Sequence, residues 1–354
     1  MADGEVQLRS LERWLTIQWP NARDVTCAFV GSPKTGMSND TSFLDVTWQE
    51  NGAARNRKLV LRRAVEGLEV HPPQVCLAAR STELQHAVMQ ALDRSGAIPA
   101  PKVLPLERNV DWVGAPFFLM EFVAGITLSD FPSFTEIGPF VDAAPEARSK
   151  MYDRSLTHLA ALHCVDWRAA GAAWLDRAAG DEPRCPAQMA LWREYCAPIF
   201  ERDEFPVLKQ AVSWLSNNYP DEPAPSLVWG DARPQNILVN AALEPLTIMD
   251  WEGAAILPAE FDFAYWLWND YFVHERVGVT RRSGVPSRHA QTEFYSRALG
   301  RSLQAVPYFR VLSLMTIVAS MFNVYERLAG QGVALQADEC ARLRLRCIPA
   351  VARW

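Results

Sequence analysis

The sequence predicts an α+β protein with a small, β-rich N-terminal lobe and a larger, mainly helical C-terminal lobe. Strand-like alternation fills the first ~120 residues around a single helix, helical patterns dominate from about Pro145, and the two kinds of segment do not alternate as βαβ units would. With 354 residues, 49% of them hydrophobic, the chain can bury a sizeable core in two lobes.

Leu8, Leu11, Trp14 and Leu15 share one face of residues 6–18, as a short amphipathic helix requires. VTCAFV and TSFLDVTW flank the Gly-rich turn GSPKTGMSND, and RKLVLRR continues the sheet after the turn-rich ENGAARN. STELQHAVMQALDRSG reads as a helix closed by Gly96, and PKVLPLE and APFFLMEFV read as two further strands. The boundary falls near Gly125, dividing the chain into lobes 1–124 and 125–354. Beyond it PEARSKMYDRSLTHLAALHCVDW, PAQMALWREYCAPIF and PVLKQAVSWLSNNY are helical, and EFDFAYWLWNDYF begins the last group of helices.

Composition excludes several functional classes. A net charge of -6 and a pI near 5.6, with no basic stretch interleaved with aromatics, argue against nucleic-acid binding. The seven cysteines form no C-x-x-C pair and the six histidines show no metal-ligand spacing, so the thiols read as reduced, in a cytoplasmic protein. The N-terminus lacks the features of a signal peptide, and VLSLMTIVASMFNV is too short and too interrupted to cross a bilayer. Neither a membrane segment nor an obligate protein partner is expected.

The chemistry concentrates in LVWGDARPQNILV (227–239) and LTIMDWE (246–252). ILVN and LTIMD are two short strands joined by the turn AALEP, with polar residues at both outer ends. Antiparallel pairing then brings Asn236 close to Asp250. A carboxylate beside a carboxamide oxygen makes a hard-oxygen site suited to Mg²⁺. Asp231 can orient a hydroxyl or accept its proton, and Arg233 can hold the charge of a transferring phosphoryl group. Pro234 stiffens the loop.

The spacing from Asp231 to Asn236 reproduces the D-x-x-x-x-N of a kinase catalytic loop, with Asp250 in the place of the D-F-G aspartate. On VWGDARPQN, IMDWE, LAALHCVDW and SGVPSRHAQTEFYSRALG, the chain resembles the aminoglycoside phosphotransferase and choline kinase-like family, and most of all its acyl-CoA-dehydrogenase-associated branch. The resemblance implies a bilobal protein-kinase-like fold and Mg²⁺-dependent transfer of a phosphoryl group from ATP, GTP not excluded, to a small-molecule hydroxyl. It also implies that a buried Asp at Asp262 braces the catalytic loop. His163 matches a family position but reads as a satisfied core histidine. Trp229 stands where the family motif carries His, a departure that removes a backbone-bracing imidazole and leaves the base in place.

At the nucleotide end, Gly31 and Gly36 have P-loop spacing, but Met37 occupies the position of the essential Lys. A phosphate cover built from a hairpin turn fits better, and the resemblance assigns Gly36, Ser38, Asn39 and Thr41 to it. Strand alternation puts Val60 and Arg62 on one face of RKLVLRR, and Leu61 with Arg63 on the other. Val60 would then face the base, and Arg62 takes the place of the usual Lys. An acidic partner for Arg62 is expected from the following helix, where Glu83 and Gln85 are both candidates. The resemblance makes Glu121 to Val123 the hinge that meets the base through backbone groups.

Two alternatives remain. One is an aminoglycoside or other antibiotic phosphotransferase, and the other a pseudokinase-like nucleotide-binding module, for which Trp229 and Arg62 speak. From Phe263 onward there are twelve Arg and no Lys against six acids, a balance of +6 that leaves -12 over residues 1–262. A basic C-terminal segment disfavours a polycationic acceptor. It suits an anionic one, such as a hydroxyacyl-CoA or a hydroxy acid, met by Arg281, Arg282 and Arg288.

Overall fold

The computed structural model describes residues 2–32, 40–65, 70–72, 74, 81–178, 180–200, 206–276 and 278–330. The N-terminal half is a four-stranded antiparallel sheet in the order β1 (Arg23–Gly31), β2 (Asp40–Glu50), β3 (Ala53–Arg63), β4 (Phe117–Glu121). Helix α1 (Ala2–Gln18) precedes it, and α2 (Ser81–Ser95) is inserted between β3 and β4. The strand period of two places Leu44, Val46, Leu59, Leu61, Phe117 and Leu119 on one face, buried against Leu11, Trp14 and Leu15 of α1. Val60 and Arg62 therefore occupy the opposite face.

Two segments differ from the sequence reading. ENGAARN is mostly strand: only Asn51 and Gly52 turn, with φ of 51° and 77°, the paired left-handed geometry of a two-residue hairpin, and β3 starts at Ala53. PKVLPLE is not a regular strand. It touches β4 only through the bridges Val103↔Met120 and Glu107↔Phe117, because Pro101 and Pro105 have no N–H to donate to a ladder.

The second half carries α3 (Pro139–Asp142), α4 (Pro145–His163), α5 (Arg184–Phe200) and α6 (Pro206–Asn217). Short strands β5 (Ile126–Thr127), β6 (Pro225–Val228), β7 (Ile237–Val239), β8 (Pro245–Ile248) and β9 (Ala255–Pro258) form two small sheets, β5-β7-β8 and β6-β9. Then come α7 (Glu260–Tyr271), continued by a π-helical turn over Phe272–Arg276, α8 (Arg288–Leu299) and α9 (Val306–Gly330). The main core packs Leu156 and Leu159 of α4 and Phe263 and Trp266 of α7 around Ile237 and Ile248. Leu84, Val88 and Leu92 of α2, with Phe118 of β4, join that same core. Among the described residues no helix is long and apolar enough to cross a membrane.

Candidate active site

Two loops meet a helix at the junction of the small sheets. The segment from Trp229 to Asn236 follows β6, the segment from Met249 to Ala254 follows β8, and α7 packs beneath both. Gly230 and Gly253 set the distance between the first two. Gly230 has φ 89°, and a Cβ there would lie 2.0 Å from the Gly253 carbonyl oxygen, so no side chain fits.

Asp262, on the first turn of α7 and fully buried, accepts the backbone N–H of Trp229 at 2.6 Å and of Gly230 at 2.9 Å. Its carboxylate also meets His163 Nε2 at 2.9 Å, and His163 Nδ1 meets the Tyr295 hydroxyl at 2.6 Å. The buried charge is thus satisfied on every side, and His163 has a partner at each nitrogen. Trp229 does more than the sequence reading allowed. Its indole N–H donates to the carbonyls of Met249 at 2.8 Å and Asp250 at 3.0 Å, so the bracing contact expected to be lost is made by a different ring.

Asp231 accepts from Asn236 Nδ2 at 2.6 Å and from Arg233 Nε at 3.1 Å. Pro234 opens the single 3₁₀ turn that carries the chain to Asn236, whose carbonyl accepts from Met249 N at 2.9 Å. The register Ile237↔Ile248 extends through that bond and places Asp250 beside the Asp231–Asn236 pair. Asp250 itself has φ 62°, a left-handed conformation that costs a non-glycine residue about 1–3 kcal/mol and is concentrated at functional sites. The buried Oδ1 of Asp250 has no hydrogen-bond partner among the described residues, whereas that of Asp231 lies 3.1 Å from Arg233 Nε.

The electrostatics separate these two carboxyls. For Asp231, burial works to raise the pKa, but Arg233, then His71, and hydrogen bonds from Tyr265 and Asn236 outweigh it and hold the group below its usual range. For Asp250, burial dominates and raises the pKa, with Asp231 adding to it and Arg62, Arg233 and His71 opposing. A buried carboxylate oxygen without a donor, next to a second carboxylate and a carboxamide, is a hard-oxygen set that fits Mg²⁺.

Arg62 reaches toward this site from β3. Its Nη2 donates to Gln85 Oε1 at 2.8 Å, Gln85 Nε2 donates to Glu252 Oε1 at 3.3 Å, and Glu252 lies 3.8 Å from Arg62. The expected helix partner is therefore Gln85. The acid comes from the loop after Asp250 instead of from α2, and Glu83 pairs with Arg108 at 3.2 Å. Arg63, on the other face, pairs with Asp40 and donates to the Val113 carbonyl. Thr41 lies opposite Arg62, and Val60 opposite Phe43 and Met120, in the sheet register. Glu121 ends β4, and Val123 lies in the extended link to β5. Gly36, Ser38 and Asn39 lie outside the described residues.

Arg233 is held between two acids, with Nε 3.1 Å from Asp231 and Nη1 2.5 Å from Asp130 Oδ1. Burial opposes its charge, but Asp231 and Asp130 prevail and raise its pKa. Asp130, Tyr265 and His71 carried no signal in the motif reading, and only Tyr265 was findable. It follows Asp262 by three residues, the helix spacing that repeats a face, and burial together with Asp231 pushes its hydroxyl well above the usual range.

The arginines offered to an anionic acceptor are otherwise engaged. Arg281 makes a forked contact to Asp270 at 3.0 and 2.6 Å, Arg288 pairs with Glu275 and lies 3.6 Å from Asp270, and Arg282 Nε approaches the Thr135 carbonyl at 3.4 Å. The charges of Arg281 and Arg288 are thus paired within the fold, which corrects the expectation drawn for these two from the count of charges, whereas Arg282 meets a neutral carbonyl.

The profile of the family described as "Phosphotransferase enzyme family" matches residues 33–294. The chain is 28% identical over 351 residues to acyl-CoA dehydrogenase family member 11 of Gallus gallus, an alignment covering 94% of this chain and 41% of the relative. It thus spans less than half the length of that protein. Its fold is similar to that of a Ralstonia eutropha protein assigned as an aminoglycoside phosphotransferase, with a TM-score of 0.69, 21% identity, and coverage of 96% of this chain and 95% of the other. It is also similar to an aminoglycoside phosphotransferase solved as a ternary complex with AMP-PNP and hygromycin B, with a TM-score of 0.55, 15% identity, and coverage of 97% and 98%.

Proposed function

The chain belongs to the phosphotransferase enzyme family, and on that premise we propose that it moves the γ-phosphoryl group of a nucleoside triphosphate, ATP or GTP, to a hydroxyl of a small molecule. The observation that carries the reading is the convergence of Asp231, Asn236 and Asp250, with a buried Asp250 oxygen that has no partner among the described residues, at a junction braced by Asp262 and Trp229. Residues 1–124 would hold the nucleotide, and 125–354 would supply the catalytic and acceptor groups.

Asp231 orients the acceptor hydroxyl and takes its proton as the oxygen bonds to the γ-phosphorus and the bond to the β-phosphate oxygen breaks, releasing nucleoside diphosphate. A carboxylate held below its usual range is a weak base toward an alcohol, so the proton moves late, and positioning contributes more than proton abstraction. Asn236 and Asp250 would hold Mg²⁺, which supplies charge neutralisation at the phosphate oxygens. Arg62 meets the phosphates from the sheet, and Arg233 meets the transferring group once it is released from Asp130. The resemblance assigns Gly36, Ser38, Asn39 and Thr41 to the phosphate cover and Val60 to the face of the base, to which Glu121 to Val123 would offer backbone groups.

For the acceptor we propose an anionic hydroxy compound, a hydroxyacyl-CoA or a hydroxy acid. The likeness to acyl-CoA dehydrogenase family member 11 supports this, whereas Arg281 and Arg288 no longer do. The test measures nucleoside diphosphate release with Mg²⁺-ATP over aminoglycosides, choline-like amines, sugars, hydroxy acids and hydroxyacyl-CoA esters. Turnover confined to the anionic group is expected, and turnover confined to aminoglycosides would overturn the acceptor assignment.

A further inference from the structure

The side of α7 that braces the catalytic loop continues past it. Asp262 holds the N–H groups of Trp229 and Gly230 at 2.6 and 2.9 Å. Asn269 follows Asp262 by seven residues, two turns of helix on the same side and about 10 Å farther along the axis. Four residues beyond Asn269, in the π-helical turn, the Val273 carbonyl accepts from Thr135 Oγ1 at 2.8 Å. The segment that carries Thr135 begins at Asp130, which pairs with Arg233 at 2.5 Å. That segment therefore bridges the catalytic loop and the end of α7, and the side of the helix that carries Asn269 runs between its two contacts.

Two groups here have hydrogen-bonding capacity that the fold does not use. Asn269 is only 4% exposed, and its buried Oδ1 has no partner among the described residues. The buried indole N–H of Trp268, one residue earlier, has none either. Each such group costs about 1–3 kcal/mol when left unmade, so stability alone would favour apolar side chains at both positions. The Trp268 ring stacks on Phe272, with centroids 5.3 Å apart and planes at 16°. An apolar stack is thus combined with one free donor and one free acceptor, beside a π-helical turn of the kind found often at functional sites.

None of these three residues is charged. Arg62 approaches the site from β3, in company with Gln85 and Glu252, whereas the Asn269 side is bounded by α7 and the segment from Asp130. A carboxylate lying against Trp268 and Asn269 would lose its hydration without a cation in return. A neutral carbonyl can accept from the indole N–H and an amide N–H can donate to Asn269 Oδ1, at far smaller cost.

We propose that Trp268, Asn269 and Phe272 bind the body of the acceptor beside its reacting hydroxyl and select an uncharged chain bearing a carbonyl and an amide, as in a hydroxyacyl thioester, over a free hydroxy acid. The assignment rests on the phosphotransfer reading above and narrows its acceptor class. In the thioester the carbonyl of the hydroxyacyl group is neutral, and in the free acid the same carbon carries the charge.

The experiment compares wild type with Asn269→Leu and Trp268→Phe, using Mg²⁺-ATP and pairs of acceptors matched in chain length and hydroxyl position: the free hydroxy acid and its N-acetylcysteamine thioester. Wild type should favour the thioester in kcat/KM. Asn269→Leu should raise the thioester KM about tenfold, the loss of one hydrogen bond, and leave the nucleotide KM within about twofold and the melting temperature no lower than that of wild type. Trp268→Phe keeps an aromatic ring and removes the donor, and should raise the thioester KM severalfold. In both variants the preference for thioester over acid should shrink. If Asn269→Leu folds poorly, Trp268→Phe carries the comparison. An unchanged thioester KM in both variants, equal losses with thioester and acid, or a wild type that prefers the free acid would overturn the proposal and leave phosphotransfer standing. A wild type that phosphorylates neither these pairs nor any other hydroxy compound of the acceptor panel would overturn the phosphotransfer reading and this proposal together.

Discussion

The indole N–H of Trp229 donates to the backbone carbonyl of Asp250 at 3.0 Å, so the loop that carries the proposed base holds the loop that carries the metal-ligand candidate. The same N–H reaches the Met249 carbonyl at 2.8 Å, and both bonds are partly buried, with the indole itself buried. Trp229→Phe keeps most of the packing and removes only the donor, leaving two carbonyls without their partner. A loss of about 1–3 kcal/mol is expected, together with a rise in the Mg²⁺ concentration needed for half-maximal nucleotide binding. Chemical denaturation and a Mg²⁺ titration check both, and an unchanged Mg²⁺ requirement would show that the contact only stabilises the fold.

Asp231→Asn should separate binding from chemistry. The amide keeps the shape of the carboxylate but cannot take the acceptor's proton, so kcat should fall by roughly 10²–10⁴-fold while nucleotide affinity changes little. Nucleotide titration beside single-turnover transfer makes the comparison. Wild-type turnover would remove Asp231 from its assigned role.

The parts of this arrangement that were legible in the sequence are local. Asp231, Asn236 and Asp250 lie within twenty positions of one another, and two short strands and a turn suffice to bring them together. Sheet alternation likewise separates Arg62 from Arg63, because the period of a strand is a local property. What was not legible joins distant segments. The Arg62–Glu252 and Arg233–Asp130 pairs depend on how separate segments pack, and no spacing rule reports that. The charge count failed for a related reason. It sees that Arg281 and Arg288 are cationic, but not that Asp270 and Glu275 lie beside them.

The acid limb of the rate profile tests the electrostatics. Asp231 has its pKa lowered in the folded protein, so it stays ionised through neutral pH, and the limb assigned to it should lie below the ordinary carboxylate range. Its contribution to stability is present above the unfolded pKa and is lost as pH falls through the folded value. Arg233→Gln removes the strongest influence that lowers it. The limb should then move to higher pH, and the acid-induced loss of stability should begin at higher pH too. A pH–kcat/KM profile and acid unfolding of the two proteins decide this, and an unmoved limb would mean that a different group titrates.

Arg62 and Arg63 are adjacent in sequence but lie on opposite faces of β3, and their variants should differ accordingly. Arg62 donates to Gln85, lies 3.8 Å from Glu252, and acts electrostatically on Asp250. Its Nε has no hydrogen-bond partner among the described residues, so part of the guanidinium is available to a phosphate oxygen without breaking the bond to Gln85. Arg62→Ala should therefore weaken nucleoside triphosphate binding by about tenfold or more while leaving nucleoside binding nearly unchanged, since the nucleoside lacks the groups it meets. Arg63 is turned to the α1 side and is occupied by Asp40 and the Val113 carbonyl. An exposed pair of that kind contributes at most about 1 kcal/mol, so Arg63→Ala should shift stability slightly and nucleotide affinity hardly at all. Arg62→Lys is the informative intermediate. Lys keeps the charge but cannot hold Gln85 and a phosphate through a rigid fork, so its affinity should fall between wild type and Arg62→Ala. Calorimetric titration of all three variants with triphosphate and nucleoside gives the comparison. Equal losses for Arg62→Ala and Arg63→Ala would mean that the phosphates do not lie on the Arg62 face of the sheet.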